Sequence, residues 1–404
     1  MCAKKILHLA IEYPYPADAG HKIRIYENIA ALAELGEVWS VSFTSRPVSS
    51  QDVRELEALP GSVRVVPPVS HHIQITRKPF DLLSAISRGI IHRIPYVVVK
   101  FASSAMKRVL AGLLAEQKFD VIIFDQLRTT GYFDLIRELS ISHRPKYILE
   151  THNVEADLWQ QYYEQASSPI KRFYAGYQKS ITGKWEMEMI ARMDITSTIS
   201  DLDREHLIRM GADSRKLITL PVSVGPRLKL KSTYNLQSKN LLFIGGLAWE
   251  PNLVGLKWFV DKVYPLVRRE LPEIPLVIAG SGPFQHFPEP INNLGYVEDI
   301  NPLYLQAAIF IVPILRGSGV RLKIFDAMKR GIPVVSTSIG ASGINLQHGK
   351  HIYLADTEEE FARGIVALIR DENRRRQLSQ ESFRFVSENH TREASRKVYN
   401  TIIE

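Results

Sequence analysis

Twice along this 404-residue chain, short apolar runs alternate with longer segments of helical period. In the first half the runs are Ile6–Ile11, Val38–Phe43, Val121–Phe124 and Tyr147–Leu149. After the first of them, Ile25, Ile29, Leu32 and Leu35 recur near every 3.6 residues, the spacing of a helix with one buried face. Such alternation builds parallel βαβ units, and ligands of these sheets bind beyond the carboxyl ends of the strands. A long helix is expected over Ser167–Met193, followed by a strand at Ile195–Ser200.

The pattern breaks at Leu220–Pro226. Residues 226–239 are polar, carry four cations and no acid, and show no periodicity, so they read as a linker. The alternation restarts at Leu241–Gly246. It predicts a helix over Val254–Glu270, a strand at Leu276–Ala279, a short strand near Leu294–Val297 and a strand at Ile309–Pro313. A helix over about Val320–Arg330, strands Pro333–Ser336 and Ile352–Leu354, and helices 357–370 and 373–388 complete it. The expected architecture is α/β: two doubly wound domains, 1–225 and 240–388, facing each other across a cleft that holds the site.

Apolar residues at 45% and charged residues at 23% exclude a disordered chain, a collagen-like fibre and a disulfide-stapled miniprotein. No apolar run reaches the roughly 18–20 residues that cross a bilayer. Ile6–Ile11 is interrupted by His8 and followed by Glu12 and two prolines, so it reads as a first strand rather than a signal peptide. The single cysteine, Cys2, forbids an internal disulfide and fits a cytoplasmic protein. The net charge of +8 is spread over both halves, which argues against nucleic acid as a partner. Between His71 and Lys118, however, eight cations face only two acids among regularly placed apolar residues. Such a segment can lie on an anionic membrane surface, and the same pattern describes core-packing helices with a solvated basic face.

Chemistry concentrates in Pro313–Val335. A strand ends at Pro313, the small-residue turn Gly317-Ser318-Gly319 follows, and a helix opens with Val320, Ile324, Ala327 and Met328 as its apolar stripe. Glycines let backbone approach a ligand closely, and a helix N-terminus favours an anion. Arg321 and Lys323 sit where cations are unfavourable for the helix itself, and a bound diphosphate explains them. His152, just past a strand and beside Asn153 and Glu155, can polarise a hydroxyl, hold sugar oxygens or cap a helix. His8 reads as a core histidine with satisfied nitrogens. The pairs His71-His72 and His348 with His351 lack metal-ligand spacing with carboxylates, so no metal site is expected.

The run Gly317–Met328 resembles the family-4 retaining glycosyltransferases of the GT-B fold. So do Ile244–Asn252, Ala279–Pro283, Gly295–Asp299, Tyr13–Arg24 and Thr151–Glu155. The resemblance implies two Rossmann-like domains and a final helix, within 389–404, returning to the N-terminal domain. Its stretch Arg392–Ile403 would bury Val398 and Ile402. The family's usual signature has two glutamates eight positions apart; here Asp326 matches the second and Ser318 stands at the first. The resemblance assigns donor contacts to Gly20, Gly246, Gly280, Tyr296, Val297, Ser318, Gly319, Val320 and Asp326, with Asp326 on the ribose and Tyr296–Val297 along the base. It places Lys22, Arg24 and Glu155 on the acceptor side and gives His152, Arg321 and Lys323 catalytic roles. The basic pair that most relatives carry after the first strand of the second domain is missing at Gly246–Trp249, and Arg321 and Lys323 are its expected substitutes.

The function these features imply is transfer of a sugar from a UDP- or GDP-type nucleotide-sugar to a glycan or lipid-linked acceptor hydroxyl. It would proceed with retention, without cofactor or metal, in the cytoplasm or peripherally on the inner face of the membrane. A non-catalytic nucleotide- or glycan-binding protein and a sugar epimerase or phosphorylase on the same fold are the alternatives.

Overall fold

The structure is a computed structural model and describes residues 3–17, 19–70, 93–225, 234–282, 290–317 and 319–404. The expectations placed on Ser318, on residues 71–92 of the basic stretch and on residues 226–233 of the linker lie outside the described residues.

Two compact units emerge: Met1–Ser223 together with Arg392–Glu404, and Val224–Thr391. The sheet of the first unit runs β3 (Ser62–Val65), β2 (Gly36–Thr44), β1 (Lys4–Ala10), β5 (Val121–Asp125), β6 (Lys146–Glu150), β7 (Ile195–Thr198), β8 (Leu217–Thr219). The short β4 (Val69–Ser70) also pairs with β2. The second unit repeats the design as β11 (Ile291–Asn293), β10 (Leu276–Ala279), β9 (Asn240–Ile244), β12 (Ala307–Val312), β13 (Val334–Ser336), β14 (Tyr353–Leu354). Every ladder is parallel; Leu7, for example, lies opposite Trp39 on one side and Ile122 on the other. Chain order reverses between β1 and β5, and again between β9 and β12. Those switch points open a crevice at the carboxyl ends of the strands.

The helix Gly20–Ala33 buries Ile25, Ile29 and Leu32 on one face of the first sheet, where Tyr399 and Ile402 of the helix Arg392–Ile403 join them. Val398 is half-buried rather than buried. The last helix is further tied down by an Arg392–Glu27 ion pair at 2.9 Å and by Ser395 Oγ donating to the Pro221 carbonyl at 2.9 Å. Both ties are internal to the first unit.

Several elements differ from the sequence pattern for local reasons. The helix expected over Val254–Glu270 is Glu250–Trp258 and Tyr264–Glu270 joined by a π-turn at Phe259–Val263. Pro265 offers no N–H to the preceding turn, and the wider turn absorbs the missing bond. Leu294–Val297 is not a strand: β11 occupies Ile291–Asn293, and Gly295 at φ +65° turns the chain away. β7 stops at Thr198 because the Ser200 side chain caps the next helix, accepting the Asp203 N–H at 3.1 Å. The helix after β12 is only Leu322–Met328, leaving Val320 half-buried outside it.

Candidate functional site

The carboxyl ends of β9, β10 and β12 are lined by small residues, and packing explains one of them directly. A Cβ on Gly280 would sit 1.9 Å from the Gly245 carbonyl oxygen, so only glycine lets the β10 end lie this close to the β9 end. Beyond it, Leu247, Gly280, Ser281, Gly282, Asn293 and Tyr296 border a cavity of about 180 Å³. Tyr296 is 75% exposed at its mouth and Val297 half-buried behind it. Gly246 faces the same loop, its open side 3.7 Å from Ser281 Oγ.

Two cations reach this region from the start of the helix after β12, Arg321 just before its first residue and Lys323 within its first turn. Lys323 donates from Nζ to Asn252 Oδ1 at 2.8 Å, while Asn252 Nδ2 donates to the Gly246 carbonyl at 2.9 Å. A Cβ on Gly245 would come within 2.6 Å of the same ammonium, which also lies 4.7 Å over the Phe243 ring. The charge is therefore delivered to the end of β9, where the sequence lacks a cation of its own. Burial, with a smaller contribution from the neighbouring Arg321 charge, pushes the Lys323 pKa down to about 7. Arg321 is itself buried, stacks 5.5 Å over Trp249 and contacts the Gly319 carbonyl; burial lowers its pKa to about 10. Gly317, at φ +117°, brings the turn so near that a Cβ there would meet Arg321 Nη2 at 2.9 Å. Gly319, at φ +82°, completes it. Two desolvated cations side by side create a place where an anion is stabilised.

Asp326 stands apart from this pair. Its carboxylate lies 2.5 Å from Lys329 Nζ and 3.7 Å from Arg330 Nη1, and Arg330 in turn reaches Asn301 at 2.7 Å and the Tyr304 ring. The structure thus brings Gly246, Gly280, Arg321 and Lys323 together, and holds Asp326 in ion pairs along its own helix.

In the first unit, a buried polar cluster sits under the switch point. His152 Nε2 lies 2.7 Å from Asp125 Oδ1, and its Nδ1 lies 3.1 Å from Gln126 Nε2. Both ring nitrogens face protein groups. Asn28 donates to Glu150 Oε2 at 2.8 Å, and Tyr399 donates its hydroxyl to Oε1. Burial, with help from Asp125, raises the Glu150 pKa to about 7, whereas burial lowers that of His152. Asp125 is also desolvated, but His152, His8 and Arg24 outweigh that and hold its pKa low. His8 is buried with neither nitrogen hydrogen-bonded, so it is not the satisfied core histidine that its strand position suggests. Among the described residues, Asp125, Glu150 and His152 are the one group whose donor atoms converge as metal ligands do, within 4.8 Å. Those atoms already face Asn28, Tyr399, Gln126 and one another, and Arg24 lies close enough to influence Asp125 and Glu150.

The acceptor-side candidates separate. Gly20 begins its helix, and Lys22 comes within 3.9 Å of Glu12, which also contacts His21 at 2.6 Å. Arg24 is buried, with no hydrogen bond from its guanidinium, and so belongs to the internal cluster rather than to an exposed face. Glu155 is buried too, 3.3 Å from Arg128, and lines a separate 560 Å³ cavity. Sequence reasoning left Asn252, Trp249, Gln126 and Glu186 without roles. Asn252 and Trp249 fall in a recognisable run; nothing near Gln126 signals its φ of +70°, a conformation that costs a non-glycine residue on the order of 1–3 kcal/mol.

Residues 238–371 match the family model "Glycosyl transferases group 1". A protein of Klebsiella pneumoniae, described as an uncharacterized 44.6 kDa protein in the cps region, is 25% identical over 418 residues, covering 99% of each chain. Among solved structures, Anabaena HepE in complex with UDP and glucose superposes with a TM-score of 0.64 at 12% identity, covering 98% of each chain. Sucrose-phosphate synthase of Thermosynechococcus elongatus gives 0.69 at 14% identity, covering 99% of this chain and 98% of that one. TarM of S. aureus, in complex with fondaparinux, α-GlcNAc-glycerol and UDP, gives 0.66 at 11%, covering 99% and 100%. The fold is GT-B. Together with the matched segment, it defines a glycosyltransferase.

Proposed function

We propose that the protein moves a sugar from a nucleoside diphosphate-sugar to an acceptor hydroxyl, with retention at the anomeric carbon and without a metal. The observation that carries this reading is the convergence of Lys323 and Arg321 on the glycine-lined ends of β9, β10 and β12. As the bond from C1 to the phosphate oxygen breaks, negative charge grows on the leaving diphosphate. Preorganised cations in a desolvated site stabilise that charge without reorganising. The helix Leu322–Met328 has only seven residues, so the two side chains supply most of this field. The acceptor oxygen attacks C1 from the face the diphosphate leaves, and its proton passes to the departing phosphate oxygen.

Uridine is the favoured base, by likeness to HepE and TarM, both solved with UDP. Tyr296 and Val297, beside the 180 Å³ cavity, would run along it. Asp326 would accept the ribose hydroxyls by exchanging its pairs with Lys329 and Arg330. His152 would take its catalytic role within the first unit once its ring leaves Asp125 or Gln126. Likeness to the protein of the cps region favours a polysaccharide product. A peripheral cytoplasmic location accords with the finding that no helix among the described residues is long and apolar enough to cross a membrane.

A thermal-shift panel of UDP, GDP and ADP, followed by release of nucleoside diphosphate from the matching sugar donors, tests the reading. A ligand at 100 times its Kd stabilises by about 2.7 kcal/mol. No shift with any of them, and no release, would overturn the proposal.

A further inference from the structure

The helices Glu155–Glu164 and Pro169–Arg192 form an antiparallel hairpin, and its tip is unusual for a soluble surface. Tyr162, Ile170 and Phe173 are 63%, 83% and 78% exposed, with Tyr163 beside them. Singly exposed apolar residues are ordinary, but a cluster of large ones marks an interaction surface. Lys171 and Arg172 alternate with them, and Arg172 lies 5.9 Å over the Tyr163 ring. Behind the tip opens the 560 Å³ cavity, walled by Tyr96, Phe101, Trp159 and Tyr174. Trp159 and Tyr174 meet edge to face at 5.9 Å, so this wall is packed rather than loose. Three cations, Lys100, Arg128 and Lys171, line the cavity against the single acid Glu155, which Arg128 neutralises at 3.3 Å.

Aromatic and aliphatic side chains interleaved with Lys and Arg suit the boundary of an anionic bilayer, where the rings enter the headgroup layer and the cations meet phosphates. We infer that the hairpin tip Tyr162–Phe173 seats in an anionic membrane and that the adjoining cavity takes the phosphate-bearing head of a lipid from it. On the transferase reading above, that lipid is the acceptor, so the sugar is added to a hydroxyl borne by a lipid-anchored phosphate carrier rather than to a free glycan. The excess cations of the cavity hold the phosphate, and the packed wall of Trp159 and Tyr174 lies against the first part of the chain or sugar attached to it.

Flotation tests this on the full chain, with phosphatidylcholine vesicles compared with vesicles containing phosphatidylglycerol. The wild type should float with the anionic vesicles and stay in the dense fraction with the neutral ones. The double variant Ile170→Ser, Phe173→Ser should lose about tenfold or more of the bound fraction, because two apolar side chains no longer leave water. Lys100→Ala should weaken binding by a smaller factor through the cavity alone. A UDP-induced thermal shift in each variant reports an intact fold and an intact donor site independently of lipid. If the wild type ignores anionic vesicles, or the double variant floats as well as the wild type, the inference is overturned. It is equally overturned if Ile170→Ser, Phe173→Ser instead converts a dimer into a monomer, since the tip would then face a second copy. Flotation without any UDP shift would leave the membrane surface standing and remove the donor assignment.

Discussion

Lys323 and Asn252, 71 positions apart, meet with Nζ 2.8 Å from Oδ1 at the carboxyl end of β9. Asn252 then passes the contact on to the Gly246 carbonyl. The helix following β12 thereby supplies the cation that the loop following β9 lacks. The arrangement also explains why a glycine, Gly245, follows β9: a side chain there would displace the ammonium.

Arg321→Ala should lower turnover on the order of 100-fold, comparable to removing one preorganised donor from a site of developing charge. Arg321 presents a planar fork to two phosphate oxygens, whereas Lys323 offers a point charge, so Lys323→Ala should cost somewhat less. Asp326→Ala should chiefly raise the donor KM. Steady-state kinetics on the three variants separates these effects; equal losses in kcat and KM across all three would contradict the division of labour.

The depressed Lys323 pKa carries a pH signature. Below about pH 7 the ammonium is present before the diphosphate arrives; above it, binding must take up a proton. UDP affinity should therefore be flat just below pH 7 and fall by up to about tenfold per unit above it. The Lys323→Ala variant should lose that slope. Calorimetry at pH 7, 8 and 9 distinguishes the two profiles.

Gly280→Ala should be disproportionately costly for so small a change. Its methyl would meet the Gly245 carbonyl at 1.9 Å, forcing the β9 and β10 ends apart. A loss of about 1–3 kcal/mol in urea unfolding of the second unit is expected, as for an overpacked core. An unchanged midpoint would show that the strand ends are not held this tightly.

Glu186 gives the first unit a separate pH response. Its carboxylate accepts the N–H groups of Glu155 at 3.0 Å and Ala156 at 3.4 Å, yet burial outweighs those bonds and raises its pKa to about 8. A folded pKa raised above the unfolded value contributes stability that is complete below about pH 4.5 and is lost as pH rises through about 8. Glu150, raised to about 7, acts in the same direction. Glu186→Gln should therefore narrow the fall in melting temperature between pH 6 and 9. Parallel curves for variant and wild type would remove Glu186 from the account.

The parallel order of both sheets was legible because continuous apolar runs and 3.6-residue periods name strands and helices without tertiary information. The turn around Gly317 and the cations Arg321 and Lys323 stood out for a related reason, being locally unfavourable to the helix they precede or enter. What stayed hidden depends on contacts distant in sequence. Nothing near Lys323 says that its ammonium reaches β9. Nothing near Glu150 says that Tyr399, 249 positions later, will donate to it. His8 reads as an ordinary core residue until Asp125 and His152 are placed beside it. The hairpin tip was absorbed into a long helical pattern, since exposure of Ile170 and Phe173 is a property of packing that periodicity cannot express.

Calorimetric titration of UDP and of uridine into the wild type and Lys323→Ala tests the diphosphate site most directly. The charge-assisted contact from Lys323 is worth about 1.5–3 kcal/mol. UDP should therefore bind the variant roughly ten- to a hundredfold more weakly, while uridine, which has no phosphates, should bind both proteins alike. Equal UDP affinities for the two proteins would show that the phosphates rest elsewhere and would contradict the account.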